Sequence, residues 1–379
     1  MADSSIVARL ADGVAAFDSA EWDRCAGGAN PFLSHAFLSI LESSRSAIAE
    51  AGWQPLPIAI DDPDGTLAGV APAYVKSHSQ GEYVFDHRWA DAWARAGGEY
   101  YPKLLIAVPF TPVPGPRLLT DDDRVAQGLI AASEAIVTRH GLSSAHATFL
   151  EQRDIDRFRA AGWLIREGSQ FRWVNNGYGC FDDFLASLSS RKRKAIRKER
   201  ATAQAGLEIV ALTGESITEV HWSGFWGFYQ DTGARKWGRP YLTRAFFSLL
   251  GQVMADKVLL VLALRDGRPV AGALNLIGAD ALYGRYWGCD EDIPFLHFEL
   301  CYYQAIDFAI ANGLGQVEAG AQGEHKLARG YGPVPTWSAH YIADSSFRAA
   351  VADFVERERR AVEREIAFLG EMTPFRKCG

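Results

Sequence analysis

The 379-residue sequence predicts an α/β protein of the α+β type, made of two tandem copies of one unit whose mixed, largely antiparallel sheets are flanked by helices. Three observations carry that prediction. Two segments far apart in the chain repeat each other, each is followed by an Asp-Gly hairpin, and each hairpin leads to a helix that ends at a glycine before another strand. The length agrees, since roughly 150 residues per domain makes this chain two domains.

The repeat opens with NPFLSHAFLSILE at 30–42 and RPYLTRAFFSLLG at 239–251, where six of the eleven positions starting at Pro31 and Pro240 are identical. Ser34 and Thr243 are placed to cap helices with an apolar stripe behind them. Strand, D-G turn and strand follow in LPIAIDDPDGTLAGVAPAYV and LLVLALRDGRPVAGALNLI. Then come VAQGLIAASEAIVTRHG with the strand SSAHATFL, and FLHFELCYYQAIDFAIANG with the strand GQVEAG. From turn glycine to helix-ending glycine the first copy is 30 residues longer, which predicts an insertion at about 82–116. The expected domains are therefore 1–175, 176–345, and a C-terminal helix and tail at 346–379. That last helix pairs Glu356 with Arg360 at i,i+4.

Composition narrows the function classes. No apolar run approaches the roughly 18 residues of a membrane span, and the N-terminus has no signal-peptide pattern, so a cytoplasmic protein is expected. Five scattered cysteines without a C-x-x-C pair, and nine histidines without H-E-x-x-H, predict reduced thiols and no metal. The net charge of -7 and the lack of a reading-helix motif argue against sequence-specific DNA binding. Within this acidic chain, residues 191–200 carry seven bases and one acid, and the rest of the chain has a net charge of -13. The segment FDDFLASLSSRKRKAIRKERATAQAG reads as one helix with Leu185, Leu188, Ala195 and Ile196 on one face and Arg193, Lys194, Arg197, Lys198 and Arg200 on the other. It is either a solvated face or a phosphate contact; no aromatics interleave the bases, so base stacking is not indicated.

The stretches GRYWGCDEDIPFLHFELCYYQAIDFAIANGL and VEAGAQGEHKLARGYGPVPTWSAH, with FTPVPGPRLL and SSRKRKAIRKER, resemble the Fem-like, peptidoglycan-related family of bacterial proteins over nearly the whole chain. That family is related to the GNAT-type acyltransferases and to the Fem aminoacyltransferases. The resemblance implies two tandem GNAT-like domains, the first shaping an acceptor site and the second carrying the chemistry. It also implies an amide-forming N-acyl or aminoacyl transferase.

Such a transfer needs a neutral amine, a donor aimed at the developing oxyanion, and a proton for the leaving group. Candidates lie in VEAGAQGEHKLARGYGP, whose glycines let the backbone turn tightly: Glu318, Glu324, His325, Lys326 and Arg329. The same residue types would also suit a solvated turn. K-L-A-R-G-Y-G at 326–332 is similar to the F-K-x-x-F-G stretch of Fem transferases, which implies that Lys326 stabilises the oxyanion, with His325 and Glu324 beside it as proton carriers. A second cluster places Arg285 and Tyr286 on a strand and His297 and Glu299 on the next helix; Glu299 falls on an apolar stripe with Phe295, Tyr302 and Ile306, and Arg285 is its expected partner. Lys103 and Arg117 are expected to help hold an acceptor, and Arg193, Lys194 and Arg197 to bind phosphate.

No bound cofactor is expected. The donor is either an aminoacyl-tRNA or an acyl-CoA, and CDEDIPFLH, with three carboxylates and no glycine at the helix start, disfavours a pyrophosphate there. The acceptor is a small-molecule or nucleotide-linked amine, and membrane contact is at most peripheral. The alternative is a non-catalytic protein of the same fold that docks on an anionic cell-envelope precursor.

Overall fold

A computed structural model describes residues 7–237, 240–320 and 323–376, without the side chains of 233–237 and 324. Arg239, at the head of the second repeat, lies outside the described residues. The chain forms two compact units, Met1–Gly168 with Thr336–Glu363 and Ser169–Pro335 with Arg364–Gly379. They are interleaved, in place of the continuous halves 1–175 and 176–345 expected from the sequence. The reason is strand pairing: each unit's sheet takes a strand from the far side of the sequence boundary.

In the first unit, β1 (Ala8–Leu10), β2 (Trp53–Pro55), β3 (Ile58–Asp61), β4 (Leu67–Ala71), β5 (Ala73–Lys76), β6 (Lys103–Ile106) and β7 (Ser144–Thr148) make two sheets. β1, β3 and β4 form a small antiparallel one. The D-G hairpin is β3–β4, and Pro72 then interrupts the strand so that β5 joins the larger sheet between β2 and β6. β7 runs parallel to β6, and residues 338–342 pair antiparallel with β7. Helix Asp123–His140, capped by the Asp122 side chain and ended at Gly141 in the left-handed region, lays Val125, Leu129, Ile136 and Val137 on a core that includes Ile58, Leu104 and Ala145. Ser34 caps helix His35–Ser43 as expected.

The second unit contains β8 (Leu164–Val174, from Ser169 on), β9 (Glu208–Thr213), β10 (Val258–Arg265), β11 (Arg268–Ile277), β12 (Ala281–Cys289) and β13 (Gln316–Glu318), in the order β8-β13-β12-β11-β10-β9. β14 (Gly332–Ile342) follows, and its end is the strand beside β7. The β10–β11 turn has φ of 51° at Asp266 and 76° at Gly267, the two positive values a two-residue type I′ hairpin requires. Helix Glu219–Trp237 crosses β12 so closely that a Cβ on Gly288 would lie 2.3 Å from the Phe228 carbonyl oxygen; only glycine fits.

The duplication is visible in the pairing. β5, β6 and β7 pair antiparallel then parallel, as β11, β12 and β13 do. β6 is therefore the counterpart of β12, although it falls inside the stretch 82–116 expected as insertion. The extra residues divide around it, into helix His87–Arg95 before and a loop after. Two further expectations change. The single helix read over 181–206 is two, Phe181–Ser187 and Ser190–Gln204, because Leu188 turns to extended backbone and bridges to Phe375. The helix after β12 starts at Leu296, beyond Phe295 at φ 65°, and widens to a π-helix over Glu299–Tyr303.

Candidate functional site

β12 and β13 are parallel neighbours only at 281–283 and 316–318; β12 continues to Cys289 after β13 has ended. At this fork lies a cavity of about 120 Å³, whose lining includes Asn275, Arg285, Tyr286, His297, Cys301 and Tyr302. The pairing of β12 with β11 slips at Leu274/Asn275: Leu274 faces Tyr286 while Asn275 faces Gly284, so Arg285 is the extra residue of a bulge. Bulges re-aim side chains and gather beside active sites. The structure thus brings together the expected Arg285, Tyr286 and His297. Sequence reading did not assign Cys301 or Tyr302 to a site, since a regular wheel places Tyr302 on the stripe of Glu299. The π-helix breaks that wheel: Tyr302 lines the cavity and Glu299 turns to the basic helix.

Residues 324–329 form a tight turn in which His325 is exposed and Lys326 is 3% exposed. The Tyr302 hydroxyl is 3.0 Å from His325 Nε2, and the His325 and His297 rings are 6.1 Å apart. Partial burial, with Arg329 and Lys326 close by, holds the His325 imidazole below the ordinary histidine range; burial pushes the Tyr302 phenol well up. Lys326 does not line the cavity. Its Nζ donates to the carbonyls of Ala319 (2.5 Å) and Gly320 (3.0 Å), and burial lowers its pKa to about 8. Ala319 is part of the cavity wall, so Lys326 reaches the site through the backbone it holds. Glu324 begins the turn, but its side chain lies outside the described residues. Glu318 accepts from Arg172 at 2.6 Å.

Glu299 is wholly buried, and its partner is not Arg285. Arg200 donates to it through Nε (3.1 Å) and Nη2 (3.0 Å), while Gln204 and Gln304 donate at 2.8 and 2.7 Å. Arg200, expected among the outward bases, therefore faces in, and it also pairs with Asp307 at 2.7 Å. Lys194, Arg197 and Lys198 are exposed, Arg193 is half-buried, and Arg197 reaches Asp182 at 2.8 Å. Asp290 and Glu291, the acidic residues after β12, sit 3.5 and 2.9 Å from Arg268 and Arg265.

Lys103 and Arg117, expected to hold an acceptor, are fully buried in the first unit. Lys103 donates to Glu82 (2.8 Å), Asp86 (2.5 Å) and Ser79 (2.8 Å). Arg117 donates to the carbonyls of Val113 and Pro116. Both charges are spent on neighbours inside the fold, as burial demands.

Among the described residues no group of three or more His, Cys, Asp or Glu is placed to hold a metal, and no helix is long and apolar enough to cross a membrane.

Residues 13–377 match the FemAB-like family, described as peptidoglycan biosynthesis/recognition. The chain belongs to the FemAB-like family. Among solved structures this FemAB-like chain is similar to that of FemX, with 13% identity over 89% of this chain and 98% of the other, and a TM-score of 0.56. It is also similar to L-PGS from Bacillus licheniformis, with 10% identity over 92% and 98% and a TM-score of 0.51. A conserved protein of unknown function from Bacteroides thetaiotaomicron gives 13% identity over 88% and 100% and a TM-score of 0.52. No curated protein matches by sequence. The mixed α/β fold built from a duplicated unit is the one shared with these structures, and the family membership puts the chain among proteins of peptidoglycan biosynthesis/recognition.

Proposed function

We propose that this FemAB-like chain forms an amide by moving an acyl or aminoacyl group onto an amine of a cell-envelope precursor, with the chemistry in the cavity at the fork of β12 and β13. The observation that carries the reading is the Tyr302–His325 contact, 3.0 Å long and beside that cavity. An imidazole held below the ordinary histidine range is neutral at pH 7 and can accept a proton. A phenol pushed up in pKa keeps its proton and relays it.

In the proposed reaction the amine nitrogen attacks the acyl carbonyl carbon and its surplus proton passes through the Tyr302 hydroxyl to His325. Arg285, the cation in the cavity wall, stabilises the oxyanion. The carbon–oxygen or carbon–sulfur bond to the donor then breaks, and the proton returns to the leaving group. Lys326 holds the wall at Ala319 and Gly320; the oxyanion role expected for it passes to Arg285 in this reading.

The donor we favour is an aminoacyl-tRNA over an acyl-CoA, because CDEDIPFLH, which leads from β12 into the helix that starts at Leu296, has no glycine loop to offer a pyrophosphate free backbone N–H groups. Arg193, Lys194 and Arg197 then meet the phosphates of the donor or of a nucleotide-linked acceptor. Assaying transfer from charged tRNA and from acyl-CoA, each at two salt concentrations, tests this: salt-sensitive transfer from tRNA is expected, and transfer from CoA alone would overturn it. The family description also names recognition, which favours a second reading, a non-catalytic binder of an anionic envelope precursor. Binding of such a precursor with no transfer from any donor would support that reading.

A further inference from the structure

The basic helix Ser190–Gln204 has an inner face that the phosphate reading does not use. There Glu199 Oε2 accepts from Arg329 Nη2 at 2.8 Å and from the Tyr303 hydroxyl. Arg329 belongs to the turn that carries His325 and Lys326, and its Nη1 donates to the His325 carbonyl at 2.7 Å. Its guanidinium lies 3.4 Å over the Phe298 ring, just before the π-helix. Tyr303 ends that π-helix and follows Tyr302. One carboxylate thus joins the two backbone segments whose side chains meet as His325 and Tyr302.

We infer that Glu199 is a positioning residue, one that clamps the 324–329 turn to the π-helix and thereby sets the His325–Tyr302 contact. The inference rests on the reading of this cavity as the transfer site, but its structural content can be tested without any substrate. Carboxylate geometry suits the task, because one oxygen can accept from both donors and charge assistance shortens the bond to arginine. The clamp also places a phosphate-facing helix in direct mechanical contact with the proposed proton relay.

The sign of the effect separates positioning from plain electrostatics. His325 faces Tyr302, His297 and Phe298, with Arg329 and Lys326 on its own turn. Removing the Glu199 charge leaves Arg329 uncompensated, and electrostatics alone would push the imidazole pKa further down. Releasing the turn does the opposite, because His325 gains water and loses Tyr302.

The experiment is a histidine NMR titration of the full chain, with His325→Asn identifying the signal. In Glu199→Gln the His325 pKa is expected to rise by about half a pH unit or more toward the ordinary 6.5. In a Tyr302→Phe background the same replacement should add little, since the contact through which it acts is already gone. An unchanged or lowered pKa in Glu199→Gln would overturn the inference. If that variant does not fold, Tyr303→Phe removes one of the two donors without changing charge, and the same rise is expected or the inference fails. None of these outcomes depends on transfer activity, so loss of the clamp and loss of the transferase reading are told apart.

Discussion

At the residue scale, buried charge separates structural groups from candidate chemical ones. Glu299 has four hydrogen bonds from three side chains and no exposure. Replacing it with alanine leaves Asp307 as the remaining partner of Arg200 and strands the amides of Gln204 and Gln304, which should cost about 1–3 kcal/mol; a urea titration measures this. Lys326 is different. Its folded pKa of about 8 lies below its unfolded value, so between those values the unfolded chain binds more protons and stability rises with pH. Relative to Lys326→Met, the wild-type chain should gain stability from pH 8 to 10; an equal slope in both would remove this account of Lys326. At pH 7 that variant also strands the Ala319 and Gly320 carbonyls, a loss of about 1–3 kcal/mol.

At the scale of elements, the π-helix and the broken basic helix explain what was and was not legible. The stripe Phe295, Glu299, Tyr302 and Ile306 is a correct reading of regular helical spacing, and the widened turn at Glu299–Tyr303 defeats it. Likewise Arg200 reads as one base among seven; only the approach of Glu299 and Asp307 shows that it faces inward. The hairpin at Asp266–Gly267 and the glycine ends at Gly141 and Gly313 were legible because they depend on local backbone chemistry. The bulge at Arg285 and the fork beyond it depend on which strands meet, and no local pattern announces them. For the outer bases, reversing the exposed Lys194 and Arg197 to glutamate should leave the melting temperature within about a degree, because exposed charges contribute little. It should also weaken RNA oligonucleotide binding and flatten its salt dependence; unchanged binding would leave these bases as a solvated face.

Across the whole molecule, duplication was legible and interleaving was not. Pro31/Pro240 and the two D-G turns carry the repeat in sequence, whereas the exchange of strand ends between 168 and 336 follows from pairing across long separations. The first unit has a titration signature of its own. His146 and His340 face each other with Nδ1 atoms 2.7 Å apart, and burial holds His146 down at about 3 and His340 well below its ordinary range. Their contribution to stability is present above pH 6.5 and is lost as pH falls toward the folded values. A His340→Asn variant should therefore lose less stability than wild type between pH 7 and 5, and an equal loss would contradict that assignment.

The central claim is that Tyr302 and His325 carry the proton of an amide-forming transfer. The most direct measurement is single-turnover transfer from an aminoacyl-tRNA to an amine of a nucleotide-linked peptidoglycan precursor, by wild type, Tyr302→Phe and His325→Ala. Wild type is expected to form the amide, with both variants folded, binding substrate comparably, and slower by about 10²–10⁴-fold. Wild-type rates in both variants would contradict the account.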